Sequence, residues 1–257
     1  MNTKMKVLSL ALVGAFGYVG AASAACPTDP AQAGGGAWSA KNVATDATLV
    51  IQTPGLASTE CRLDVSVNSN TSLANTRAFV TDESPNDEPR YRARFYLSTS
   101  ALTGLTLANQ QTKIFNASAA NSPGAGISTA QITVSLLGSS SGPAVRLLIS
   151  DASQPSKFKT FTTVLPASAS KTYTVEVDLT QGNTANNFKY WVAAVEDPAP
   201  VEATPTNQGQ VDTTGWSGVT SVNLGLFSTT AGFRANVAGQ ALSLDQFDSR
   251  RQTFIGR

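Results

Sequence analysis

Histidine is absent from all 257 residues. That absence excludes Ser-His-Asp and Cys-His catalysis, which need an imidazole base. It also excludes the usual zinc and copper sites and the two-histidine iron sites, which want imidazole or thiolate ligands. Chemistry would have to come from carboxylates, tyrosine, lysine, arginine, or a hard cation held by oxygen. Charge is scarce as well, at 14% of residues, with 18 basic against 17 acidic side chains. A near-neutral chain carries no broad field for nucleic acid or for an anionic membrane surface. Cysteine is limited to Cys26 and Cys61. They form no Cys-x-x-Cys, and neither adjoins a histidine or lysine that would make a reactive thiolate. There is no internal repeat and no long run with a helical period, and no cofactor motif stands out.

What is present begins with an export signal. Lys4 and Lys6 precede an apolar run from Val7 to Gly20, and Ala22-Ser23-Ala24 supplies small residues at a cleavage site. This is the pattern of a secretory signal peptide over residues 1–24. A lipid anchor at Cys26 is the lesser reading, because a lipobox wants leucine where Ser23 stands. No later stretch is apolar enough to cross a bilayer. A secreted or periplasmic chain of residues 25–257 is expected, with one disulfide between Cys26 and Cys61. Removal of Lys4 and Lys6 leaves 16 basic and 17 acidic groups, a net charge of −1.

Residues 25–45 read as an irregular segment, with two prolines and Gly34-Gly35-Gly36. Beyond it, short alternating runs follow one another: TLVIQT (48–53), CRLDVSV (61–67), QTKIFNAS (111–118), TAQITVSLL (129–137), VRLLIS (145–150), FKTFTTVL (158–165), KTYTVEVDL (171–179), FKYWVAAV (188–195), SVNLGLFS (221–228) and ALSLDQF (241–247). Glycine, proline and serine turns separate them. The LGSSSGP turn makes residues 129–150 a hairpin. In EPRYRARFYLSTS (88–100), Tyr91, Ala93, Phe95 and Leu97 alternate with Arg90, Arg92, Arg94 and Tyr96, so one row faces a core and the other faces out. The proline-rich stretch 196–210 reads as a loop. Ten to twelve such strands predict an all-β, antiparallel two-sheet sandwich in a single domain over residues 25–257.

Two of these stretches, DESPNDEPRYRARFYL (82–97) and LSLDQFDSRRQTFIG (242–256), resemble the first and last core strands of the concanavalin A-like lectin/glucanase fold. They are closest to the laminin-G-like jelly rolls of exported bacterial proteins. TYTVEVDLT (172–180) with FKYWV (188–192) resembles the family's middle strand pair, and SVNLGLFSTTAG (221–232) resembles the strand before the last. The resemblance implies two curved sheets with a concave face that holds glycans in many relatives. It also places the arginine strand beside the terminal strand. At least one of Arg90, Arg92 and Arg94 is therefore expected to pair with Asp245, Asp248 or the acidic turn. The fold hosts lectins, hydrolases, lyases and adhesion modules alike, so it transfers no activity.

Glucanases of that fold place Glu-x-Asp-x-x-Glu on one strand. Here the run is Glu176-Val-Asp178-Leu-Thr-Gln181, and a glutamine can neither protonate a leaving group nor take a proton back. The plain reading is a strand with Val175, Val177 and Leu179 inward and the two acids facing water. The lyase set of the same fold needs a histidine and is echoed only by Lys189-Tyr190. For glycan stacking the candidates are Trp216, Trp38, Tyr190 and Trp191, with Glu176 and Asp178 for hydroxyl groups. The plainer reading of each tryptophan is a plug at an edge of the sandwich. A calcium site would have to use Asp82, Glu83, Asp87 and Glu88, which lack any loop signature, so no metal is assigned. The function these readings imply is non-catalytic binding of a glycan or cell-surface polymer. Alternatives are a structural or adhesion protein and a carbohydrate-active enzyme with an atypical carboxylate site.

Overall fold

The computed structural model describes residues 26–31, 38–68, 76–165, 171–237 and 239–257. The predicted signal peptide and the glycine triplet lie outside them. Fourteen strands, one short α-helix and a 3-10 turn at Ser100–Leu102 are present among the described residues: β1 Ala40–Val43, β2 Ala47–Gln52, β3 Arg62–Val67, β4 Ala78–Asp82, β5 Arg90–Ser98, β6 Gln111–Ala119, β7 Ala130–Ser139, β8 Gly142–Ser150, β9 Phe158–Val164, β10 Thr172–Thr180, β11 Phe188–Ala194, β12 Asn207–Gly209, β13 Val219–Phe227, α1 Ala231–Val237 and β14 Leu242–Arg250.

They form two seven-stranded antiparallel sheets. The first has the order β1-β4-β13-β6-β7-β8-β9, the second β12-β11-β10-β5-β14-β3-β2. The protein is an all-β jelly-roll sandwich, as the alternation predicted. The inner faces meet in one core in which every second residue points inward. Tyr91, Ala93, Phe95 and Leu97 of β5 and Val175, Val177 and Leu179 of β10 face Phe115, Ile132, Val134, Leu147 and Leu224 of the first sheet. Phe95 and Phe115 stack across the gap, with ring centroids 5.6 Å apart.

Four elements depart from the sequence reading. The segment taken as irregular over 25–45 contains β1, which pairs with β4 through Ala40↔Thr81 to Val43↔Ala78. β4 itself is a short run with little alternation to reveal it. The proline-rich loop 196–210 holds β12, three residues that pair with Phe188–Tyr190. Helix α1 is only seven residues long, too short to show a 3.6 period. Residues 25–78 are thus no appendage, since they supply edge strands to both sheets. Cys26 and Cys61 are bridged, with Cα atoms 5.7 Å apart, which also removes Cys26 as a lipid acceptor. Among the described residues, no helix is long and apolar enough to cross a membrane.

Candidate functional site

The outer face of the second sheet is where chemistry-bearing residues gather. β5 and β10 run antiparallel with Arg94 opposite Glu176 and Arg92 opposite Asp178. On the far side, β11 places Trp191 opposite Glu176 and Lys189 opposite Asp178. Period-two alternation sends all of these outward together. An outward row would ordinarily be wet, yet Arg92 is fully buried and Glu176, Asp178 and Trp191 are 3%, 4% and 1% exposed.

Two segments cover them. One is the loop between β11 and β12. Its Glu202 pairs with Arg92, and its Val201 carbonyl accepts the Trp191 indole N–H at 3.0 Å. The other is the stretch after β14. The N–H groups of Ile255 and Gly256 donate to Glu176 Oε1 and Oε2 at 3.0 and 2.9 Å. Phe254 packs on Trp191, centroids 5.0 Å apart, and lies under the Arg92 guanidinium at 6.0 Å.

Arg90 and Arg92 converge on Asp178 at 3.0 and 2.7 Å. Arg94 donates to the carbonyls of Gly256 and Gln246 at 3.2 and 3.1 Å and sits 5.0 Å over the Tyr96 ring. Burial opposes the Arg92 charge, but its hydrogen bonds to Asp178 and Glu202 more than compensate and hold it protonated. Burial pushes the Glu176 carboxyl above its usual range. The Ile255 and Gly256 amides, and then the arginine charges, pull the other way without overcoming it.

Two expectations are corrected here. Glu176 and Asp178 do not face water, because chain segments distant in sequence lie over them. None of the three arginines pairs with Asp245, Asp248 or the acidic turn. β14 does lie beside β5, but a bulge between Asp245 and Asp248 breaks the register. It turns Asp245 toward the Leu56 N–H at 2.7 Å and the Thr59 hydroxyl. Asp248 pairs with Arg250 at 3.0 Å, and Glu88 of the acidic turn pairs with Arg251 at 2.9 Å. The acids that meet the arginines come from β10 and the 196–206 loop instead.

The remaining candidates lie elsewhere. Trp216 is buried in its loop, its indole N–H donating to the Ser128 carbonyl at 3.0 Å. Gln181 holds that loop through the carbonyls of Trp216 and Ser217. Tyr190 is a core residue packed on Phe161 and Phe188, and its hydroxyl meets Thr163 at 2.9 Å. Trp38 is partly exposed, stacks on Phe247 at 4.7 Å, and lines a cavity of about 360 Å³ with Pro27, Pro30, Ile51 and Leu63. In the acidic turn Asp82 accepts the Ser84 N–H and Asp87 the Gly218 N–H. Among the described residues no group of three acids or cysteines converges as a metal site. Of the predicted binding residues, the structure brings together Trp191, Glu176 and Asp178 and leaves Trp216, Trp38 and Tyr190 apart. Sequence reasoning missed Glu202, Phe254, Ile255 and Gly256. Their one signal was an apolar Phe-Ile pair stranded after the last strand.

No protein-family model matches the chain, and no curated protein matches it. Solved structures do. An endo-β-1,4-glucuronan lyase from the fungus Trichoderma reesei superposes with a TM-score of 0.54 at 14% identity, over 83% of this chain and 90% of that one. An alginate lyase from Klebsiella pneumoniae gives 0.51 at 8% identity, over 82% and 86%. The likeness is one of fold. A botulinum neurotoxin type G receptor-binding domain is more distant, at a TM-score of 0.48 over 43% of its length.

Proposed function

We propose that the protein is an exported, non-catalytic, single-domain sandwich of concanavalin A-like or laminin-G-like type. Its ligand is a glycan or cell-surface polymer, bound on the outer face of β5, β10 and β11. The observation that carries this reading is the polar set on that face, which exceeds what its cover satisfies. Arg92 Nε and NH1 and Arg94 Nε are buried without a hydrogen-bond partner. A buried Nε–H without a partner recurs at Arg146 and Arg234, but Arg92 alone among the described arginines has two buried nitrogens without one. A buried donor left unmade costs about 1–3 kcal/mol, more when charged. Such donors beside an indole face suit an oxygen-rich ring that stacks and accepts hydrogen bonds.

Three further features support the reading. The signal pattern and the disulfide fit export. Two solved structures with the same fold are named for action on carbohydrate polymers. Both carboxylates are already engaged, Asp178 by two arginines and Glu176 by two backbone amides, which argues against a free acid/base pair. An adhesion role is the second reading. It is favoured by edge strand β2, where Thr48, Val50 and Gln52 are exposed and no further strand pairs beside it among the described residues.

Screening the purified protein against plant, algal and bacterial glycans tests the first reading. The expected result is saturable binding that Arg92→Ala and Trp191→Ala abolish in variants that still fold. Uniform failure to bind across the panel would overturn it.

A further inference from the structure

Residues 254–257 lie on the β5–β10–β11 face in the manner of a ligand. β14 ends at Arg250, and no backbone–backbone hydrogen bond ties residues 252–257 to the described structure. Side chains of the sheet hold them instead. Glu176 takes two consecutive N–H groups with its two oxygens. Arg94 donates to the Gly256 carbonyl, and Trp191 takes the Phe254 ring.

At the far end the Arg257 guanidinium donates to the carbonyls of Ala194, Val195 and Asp197, just past β11. The segment also turns where it must. Gly256 has φ +68°, and a Cβ there would stand 3.2 Å from the Phe254 ring. Phe254, Ile255 and Gly256 are half-buried and Arg257 exposed, so the segment lies on the surface of the sandwich and is not threaded through it.

We propose that residues 254–257 are a strap closing this face in cis, and that its opening admits the polymer. The contacts it uses, a carboxylate pair of acceptors, guanidinium donors and an indole face, are those a sugar ring would compete for. A segment held only by side-chain contacts opens locally without unfolding the sheet beneath it. The second half of the proposal rests on the glycan reading, whereas the strap itself does not.

Amide hydrogen exchange on the full chain tests the strap. The Ile255 and Gly256 amides should exchange at least ten-fold faster than those of β5 and β10. Phe254→Ala should accelerate them further and leave β5 and β10 unchanged. Exchange of the segment in step with β5 would overturn the strap. A chain ending at Thr253 provides a second measurement. A synthetic peptide of residues 250–257 should bind it saturably, and the same peptide carrying Gly256→Ala should bind at least five-fold more weakly. Absence of binding to a folded truncated chain counts against the strap, and if that chain does not fold, the exchange result decides.

The polymer arm compares wild type with Phe254→Ala on the same glycan panel, with about ten-fold tighter binding expected for the variant. An opening strap with no glycan bound by either protein sinks the glycan reading and leaves the strap. Equal glycan binding by both, with exchange in step with β5, does the reverse.

Discussion

The outer faces of the two sheets are built from the same alternation and meet their polar needs in different ways. On the first sheet the outward row is largely neutral; its charged members are Lys113, which is exposed, and Arg146, which donates to Gln111 on the same sheet. The Thr81 hydroxyl donates to Asn223 Oδ1 at 2.8 Å, and the Thr133 hydroxyl donates to Asn116 Oδ1 at 3.0 Å. Asn116 and Asn223 are themselves opposite one another across β6 and β13. These cross-strand pairs close within the sheet and require no cover. On the second sheet the row is charged: Asp178 and the Gln246 carbonyl answer the arginines from within the sheet, and further partners come from outside it, namely Glu202, the Gly256 carbonyl and the amides of residues 255 and 256. A neutral face can finish its hydrogen bonds locally. A charged face of long side chains reaches past its own strand and recruits whatever segment can answer it.

That contrast can be broken most sharply at Asp178. Asp178→Ala leaves Arg90 without its partner and Arg92 with Glu202 alone, and removing one member of a buried charge cluster costs about 3–5 kcal/mol. Urea unfolding should register it as a lowered midpoint. A loss near zero would mean that the charged face is as self-sufficient as the neutral one.

A smaller effect is expected from acid. The Glu176 carboxyl is raised by burial in the folded chain. Such a group contributes stability that is present below its unfolded value and lost as pH rises through the folded one. Wild type should therefore lose ground to Glu176→Gln as pH climbs out of the ordinary carboxylate range. Urea midpoints of the two proteins across that range check the sign, and a wild type that gains on the variant as pH rises would contradict it. The smallest effect belongs to the neutral face, where Asn223→Ala removes one acceptor and should cost about 1 kcal/mol. Its midpoint should not vary with pH relative to wild type.

How far the sequence reaches follows the same division. Tyr91, Ala93, Phe95 and Leu97 were legible as a core row because a strand's period of two is local. The neighbour of that strand was legible too, through the resemblance, since Leu244 does pair with Leu97. The arginines' partners were not. A bulge at Asp245–Asp248, with Gln246 at φ +49°, turned the expected acid away, and nothing in the spelling of LSLDQFDSR marks the extra residue. Burial of Glu176 was illegible for another reason. Its cover lies about 80 residues downstream, so a strand that reads as half-wet is dry on both faces. Trp216 shows the limit from the other side. Its loop looked open, and only the Ser128 carbonyl reveals it as a plug.

The bridge between Cys26 and Cys61 sets how the sandwich would carry a mechanical load. A pull on the chain ahead of Cys26 passes through sulfur directly to Cys61 and into β3. The load then falls on the β3–β14 ladder, Leu63 to Val65 against Leu244 to Leu242, and bypasses residues 27–60. Strand β1, hydrogen-bonded to β4 alone among the described strands and with no side chain buried, would peel first if force reached it. The bridge keeps it off the load path.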